Sequence, residues 1–227
     1  MLHSVEQVSW QDCTEWLERA GLRLPTEAQW EYGARAGTHT PWWTGAERES
    51  LRTQRAANLA DQAVLRLQAR WENSVRDWPE LDDGYPVHAP IGTYAANPFG
   101  LHEGTGNVFE WCQDAYMGDF YARSPRKDPV STWSGDVPRV CRGGGFMFTA
   151  AQARSAYRFG DTPSLRGYGL GVRPARAVEP WRRSEDVDAA VRPPGLRAAS
   201  QSWRTARGAA RPRIVAAPRP RSSLRSA

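Results

Sequence analysis

Apolar residues recur at helical spacing twice near the start of the chain, and nowhere as clearly again. Trp10, Cys13, Leu17 and Ala20 lie three or four positions apart and line one side of a predicted helix. Ser9 stands before this run with Asp12 three residues on, the pattern of a capping box, and Gly21 supplies the stop. Thr26 and Gln29 repeat the start signal after Pro25, so a second helix is expected to about Ala36, closed by Gly37. Beyond Thr38 the pattern breaks. Gly, Pro, Asn and Asp interrupt the apolar residues every few positions, as at Asp83-Gly84, Asn97-Pro98 and Ser134-Gly135-Asp136. Such a texture reads as loops joined by short strands. Strands are predicted at 140–142, 146–148, 155–158 and 170–173, with one helical turn at 64–71. The whole predicts an α+β domain with two short helices, short strands and long irregular loops.

Composition changes the picture at the C-terminal end. The chain carries a net charge of +5, but residues 177–227 alone hold 11 Arg against 4 acidic residues, +7, which leaves −2 for residues 1–176. The expected organisation is a domain at 1–176 and an Arg/Pro/Ala-rich tail at 177–227, whose low hydrophobicity and uncompensated charge predict disorder. A near-neutral domain lacks the clustered cations of a nucleic-acid face, so no nucleic acid is expected on it. No apolar run reaches the roughly 20 residues of a membrane span. The first residues lack a charged flank followed by an apolar stretch, so no signal peptide is read and the cytoplasm is the default compartment. Cys13, Cys112 and Cys141 are odd in number and lack Cys-x-x-Cys spacing, which argues against a disulfide framework or a zinc ribbon. Each reads as a small core residue.

Long loops bury little and carry many backbone polar groups, so something must hold them. Oxygen-rich turns around a hard cation such as Ca2+ are one solution. Two stretches have that chemistry: Asn58-Leu59 together with Asp83-Gly84-Tyr85, and 103–110, where Gly104 and Gly106 let carbonyls turn inward between Glu103 and Glu110. Acidic surface turns without an ion share this composition.

Five groups of residues occur along the chain in a recognisable order. They are Val8-Ser-Trp-Gln-Asp12; Arg23-Leu-Pro-Thr-Glu-Ala-Gln-Trp-Glu-Tyr32; Gly100-Leu-His102 with Gly106-Asn-Val-Phe-Glu-Trp111; Arg139-Val-Cys-Arg-Gly-Gly-Gly-Phe146; and Gly171-Val-Arg173. In this order they resemble the formylglycine-generating enzyme, or sulfatase-modifying factor, family over about 5–176. The resemblance implies a single domain of C-type-lectin-like topology with bound calcium. It also implies that a first calcium site falls on the Asn58 side chain, the Leu59 carbonyl, Asp83 and the Tyr85 carbonyl. A second would fall on Glu103, the Gly106 and Val108 carbonyls, and Glu110. Active members hold copper(I) with two cysteines five residues apart after the Gly-rich stretch. Those positions here are Phe148 and Ala153, and neither a ring nor a methyl replaces a thiolate, so copper is not expected. Relatives also carry more of the domain before the Val-Ser-Trp motif. This domain is therefore expected to be N-terminally short, with a sheet edge left open.

On these grounds the expected function is that of a formylglycine-generating-enzyme-like domain without catalytic cysteines. It would act as a calcium-stabilised binding or accessory module for a protein or peptide ligand. Two alternatives stay open: an enzyme of the family that modifies protein without copper or completes its site with a partner, and a truncated, inactive gene product. His39, His88 and His102 lack metal-ligand spacing and read as loop residues. Arg154, Arg158 and Arg173 read as partners of core carboxylates, and Trp42-Trp43 as core filling.

Overall fold

Two capping boxes start the first helices where the sequence places them. The computed structural model describes residues 2–67 and 72–177. In α1 (Trp10–Arg19) the Ser9 hydroxyl accepts from Asp12 N–H while the Asp12 carboxylate accepts from Ser9 N–H. In α2 (Glu27–Arg35) Thr26 and Gln29 make the same exchange. These reciprocal bonds satisfy N–H groups that a helix start otherwise leaves open. Three shorter helices follow, α3 (Glu49–Thr53), α4 (Gln62–Arg66) and α5 (Phe120–Arg123), with 3-10 turns at Glu72–Asp77 and Ala150–Ala153. At four or five residues, α3, α4 and α5 are too short to leave a periodic signature. The turn expected at 64–71 begins earlier because Asp61 caps it, accepting from Ala63 N–H; residues 68–71 lie outside the described residues.

Four strands form one sheet in the order β3-β2-β1-β4: β1 is Phe109–Ala115, β2 Arg139–Arg142, β3 Phe159–Asp161 and β4 Leu170–Gly171. β1 runs antiparallel to β2, with Glu110 opposite Arg142, and parallel to β4. The longest strand, β1, lies where no strand is predicted. Every residue of it except Gln113 is buried, so the alternation that betrays a half-exposed strand is missing. Residues 146–148 form a turn after the glycines, not a strand, and the strand expected at 155–158 begins at Phe159. Beside β4, Glu6 bridges to Gly171 and Gln7 N–H donates to the Gly167 carbonyl, so residues 6 and 7 lie along that strand.

Aromatic rings fill the core. Trp111 and Phe109 pack with Val8, Cys13, Leu24, Cys141 and Leu170, while Trp42 and Trp78 pack with Leu51, Leu59, Leu81 and Ala153. Buried indoles need a partner for their N–H. Trp10 donates to the Cys112 carbonyl, Trp42 to that of Ala150 and Trp111 to that of Val8. All three cysteines are free and buried, as expected; burial pushes the Cys13 thiol up to about 12 and raises those of Cys112 and Cys141. No helix among the described residues is long and apolar enough to cross a membrane. The tail read at 177–227 lies, from 178 onward, outside the described residues.

Candidate metal and ligand site

The two loops singled out for calcium meet at one point. Asn58 bridges to Gly106, and Asn107 N–H donates to the Asn58 carbonyl over 2.9 Å. Gly106 has φ +76°, and a Cβ there would stand 2.1 Å from the Asn58 carbonyl oxygen, so only glycine allows this approach. The Asn58 side chain is fully buried. Its amide nitrogen donates to the Val87 carbonyl (2.9 Å) and to Asn107 Oδ1 (3.1 Å). Both amide hydrogens being used there, Oδ1 faces the other way, and it has no hydrogen-bond partner. An orphaned buried acceptor is costly unless something electropositive meets it.

Next to Asn58 the chain places Asp83. Its Oδ2 accepts from Leu59 N–H (2.8 Å), and Oδ1 accepts from Tyr85 N–H (3.1 Å) and the Tyr94 hydroxyl (3.0 Å). Asp61, fully buried, comes with it: its Oδ2 accepts from Asp83 N–H at 2.6 Å. Burial, then the charge of Asp61, pushes the Asp83 carboxyl up to about 7, and burial raises that of Asp61. Among the described residues neither carboxylate has an ion-pair partner; Arg66, five residues after Asp61, is paired with Asp82. Asn58, Leu59, Asp83 and Tyr85 are therefore brought together, and the orphaned Asn58 Oδ1 near the Asp83 carboxylate is oxygen chemistry of the kind a hard cation takes. Asp61 was missed from the sequence, although an Asp three residues after Asn58 and just before a helical turn was a visible capping signal. Among the described residues no three His, Cys, Asp or Glu side chains converge as metal ligands do. A cation here would thus rely largely on amide and carbonyl oxygens. Beside this set lies a cavity of about 320 Å³ lined by Leu51, Arg55, Leu59, Leu81, Asp83 and Tyr94.

The second set is differently occupied. Glu110 Oε2 accepts from Trp30 Nε1 and Arg173 Nε, and Oε1 from Arg173 Nη2, each at 2.7 Å. Arg173 also donates to the His102 carbonyl. Glu103 turns its carboxylate onto the N–H groups of Gly92 and Tyr94. Gly106 and Val108 lie between them on the approach to β1, so the four residues share one loop. Glu110, however, is already paired with a guanidinium, while Glu103 is held by backbone N–H groups.

Phe148 and Ala153 are built into packing. The Phe148 ring meets Phe109 edge-on, centroids 4.9 Å apart. Ala153 is buried against Gly144, where any Cβ would come within 2.9 Å of it. Arg158 pairs with Glu27 and Arg173 with Glu110, as expected of them. Arg154 does not: it lies exposed after the 3-10 turn and, among the described residues, donates only to the Ala151 carbonyl. The buried cation is instead Arg142, unremarked in the sequence, which donates to Glu31 and to the Ser155 and Tyr157 carbonyls. His102 bonds the Tyr94 carbonyl through Nδ1, and His88 lies 3.6 Å from Glu6.

This geometry can be set beside known proteins. The sulfatase-modifying factor enzyme 1-like domain matches residues 2–178. The formylglycine-generating enzyme of Streptomyces coelicolor is 34% identical over 180 residues, covering 78% of this chain and 54% of that one. The inactive C-alpha-formylglycine-generating enzyme 2 of Mus musculus is 29% identical over 192 residues, covering 81% and 51%. The structure of PvdO from Pseudomonas aeruginosa shares the fold, with a TM-score of 0.61 at 24% identity over 77% of this chain and 62% of that chain. The chain spans about half the length of these curated relatives. Motif order, fold and family match agree: the chain belongs to the sulfatase-modifying factor enzyme 1-like domain family.

Proposed function

We propose that this domain is a binding or accessory module of its family, stabilised by calcium and silent in copper-dependent cysteine oxidation. One observation carries the reading. The two positions that would hold copper(I) present a ring packed on Phe109 and a buried methyl. Soft thiolates are what select that metal, and the three thiols the chain does have are buried elsewhere. Calcium would be held at the first set by Asn58 Oδ1, the Leu59 carbonyl, Asp83 and the Tyr85 carbonyl. There it would supply positive charge to two carboxylates that have no basic partner among the described residues. At the second set a cation would compete with Arg173 for Glu110, sharing Glu103 and the Gly106 and Val108 carbonyls. The ligand proposed for the module is a protein or peptide segment.

Two measurements test the reading. The purified chain, given copper(I), oxygen and a sulfatase-type Cys-Thr-Pro-Ser-Arg peptide, should leave the peptide cysteine unchanged by mass spectrometry. Conversion of that thiol to an aldehyde, dependent on this protein, would restore the enzyme. Thermal melts in calcium and in chelator should differ. A cation at 100 times its dissociation constant adds about 2.7 kcal/mol to the native state, and coincident melts would refute the calcium part.

A further inference from the structure

We infer that Asp61 is the positioning residue of the first calcium set, locking the 83–85 turn to α4 without itself ligating the ion. Its carboxylate is fully buried and accepts three backbone N–H groups: Ala63 at 2.9 Å through Oδ1, and Asp83 at 2.6 Å and Gly84 at 3.4 Å through Oδ2. Asp83 then accepts from Leu59 and Tyr85 N–H. A continuous chain of bonds thus runs from the first turn of α4 through Asp61 and Asp83 to the residues whose carbonyls belong to the set. A second tie points the same way, since Gln62 N–H donates to the Leu81 carbonyl just before this turn. Two oriented carboxylates meet here with no arginine or lysine paired to either among the described residues, and a divalent cation would supply the positive charge that favours their ionised forms. Outer-shell groups that fix ligands in this way are worth about 10- to 100-fold in metal affinity. The inference rests on the calcium reading above and adds a division of labour: Asp83 ligates and Asp61 aims it.

Terbium(III), which takes oxygen sites of this kind and is sensitised by nearby tyrosines such as Tyr85 and Tyr94, is the probe. In the wild-type chain, its luminescence titration and competition by calcium report binding. Lifetimes in light and heavy water count the waters on the bound ion. Asp61→Asn should weaken terbium and calcium binding about tenfold or more and leave the water count at saturation unchanged, whereas Asp83→Asn should weaken binding and add water. Unchanged affinity in Asp61→Asn, or a gain of one water, overturns the positioning role. Failure of wild type to bind either ion overturns the calcium reading and this inference with it. Should Asp61→Asn not fold, hydrogen exchange on the wild type decides. The Asp83 and Gly84 amides should be protected, more so in calcium; free exchange at both, with or without calcium, refutes the lock.

Discussion

Glu110→Gln separates a charge anchor from an ion site at the second set. In the wild type the Glu110 side chain is 6% exposed and accepts three N–H groups, two from Arg173 and one from Trp30. The amide keeps one oxygen for one or two of these donors and turns an NH2 group towards a guanidinium that itself only donates. Arg173 loses its counter-charge and at least one bond. Removing one partner of a fully buried pair costs about 3–5 kcal/mol. Arg173 is 29% exposed and water recovers part of that, so about 2–3 kcal/mol is expected. Urea unfolding of wild type and variant, each in calcium and in chelator, is the assay. If Glu110 is chiefly an anchor, the loss is the same in both media and the denaturant slope is unchanged. Arg173→Met combined with Glu110→Gln should then cost less than the sum of the singles, by more than about 1 kcal/mol. A loss confined to the calcium arm would refute the anchor and make Glu110 a ligand first. A loss below about 0.5 kcal/mol in both arms would refute the buried-pair reasoning itself.

Three further outcomes are expected. In chelator, the melting temperature should fall as pH rises from about 4 to 7. The folded Asp83 carboxyl titrates near 7 and the free one near 3.8, so the folded state holds the extra proton in that window and loses its advantage as the proton leaves; calcium should flatten the profile, and a chelated protein that gains stability over the same range contradicts the assignment. Gly106→Ala should destabilise by about 3 kcal/mol or more in chemical denaturation, because the residue is left-handed and its Cβ meets the Asn58 carbonyl; a change under 1 kcal/mol would show that the two loops separate easily. Phe148→Cys with Ala153→Cys should gain copper(I) binding in competition with a chromogenic chelator, while each single variant stays near wild type.

Much of the fold was legible because its signals are local. The capping boxes at Ser9 and Thr26 each lie within four residues, and both formed. β1 was not legible, since a strand buried on both faces loses its alternation, and its residues Phe109 and Glu110 also carry the motif that reads as a loop. The candidate site was legible as a residue list but not as a charge balance. The 103–110 loop is continuous in sequence, whereas Asn58 and Asp83 stand 25 residues apart. The structure gives that loop Arg173, 63 residues beyond Glu110, and among the described residues leaves Asn58 Oδ1 without a hydrogen-bond partner and Asp83 without a basic one. A contact at that separation leaves no local pattern in the chain. Asp61 carries a local capping signal ahead of α4, but nothing in the chain ties it to Asp83, 22 residues on.

The substitutions at Phe148 and Ala153 bear on the third alternative, a truncated and inactive product. A damaged core is expected to show orphaned charges and unfilled volume where chemistry was lost. Here Phe148 joins the aromatic group around Phe109, Ala153 joins the group around Trp42 and Leu51, and the Phe148 carbonyl accepts from Ala60 N–H at 3.0 Å. The turn that carries both positions is closed by Thr149 and Gln152 in a capping box of its own. Arg142 sits buried between Glu27 and Glu31, an arrangement in which losing any partner strands a charge. Those contacts build Phe148 and Ala153 into the packing of the described domain, which is what the proposed binding module requires of its scaffold.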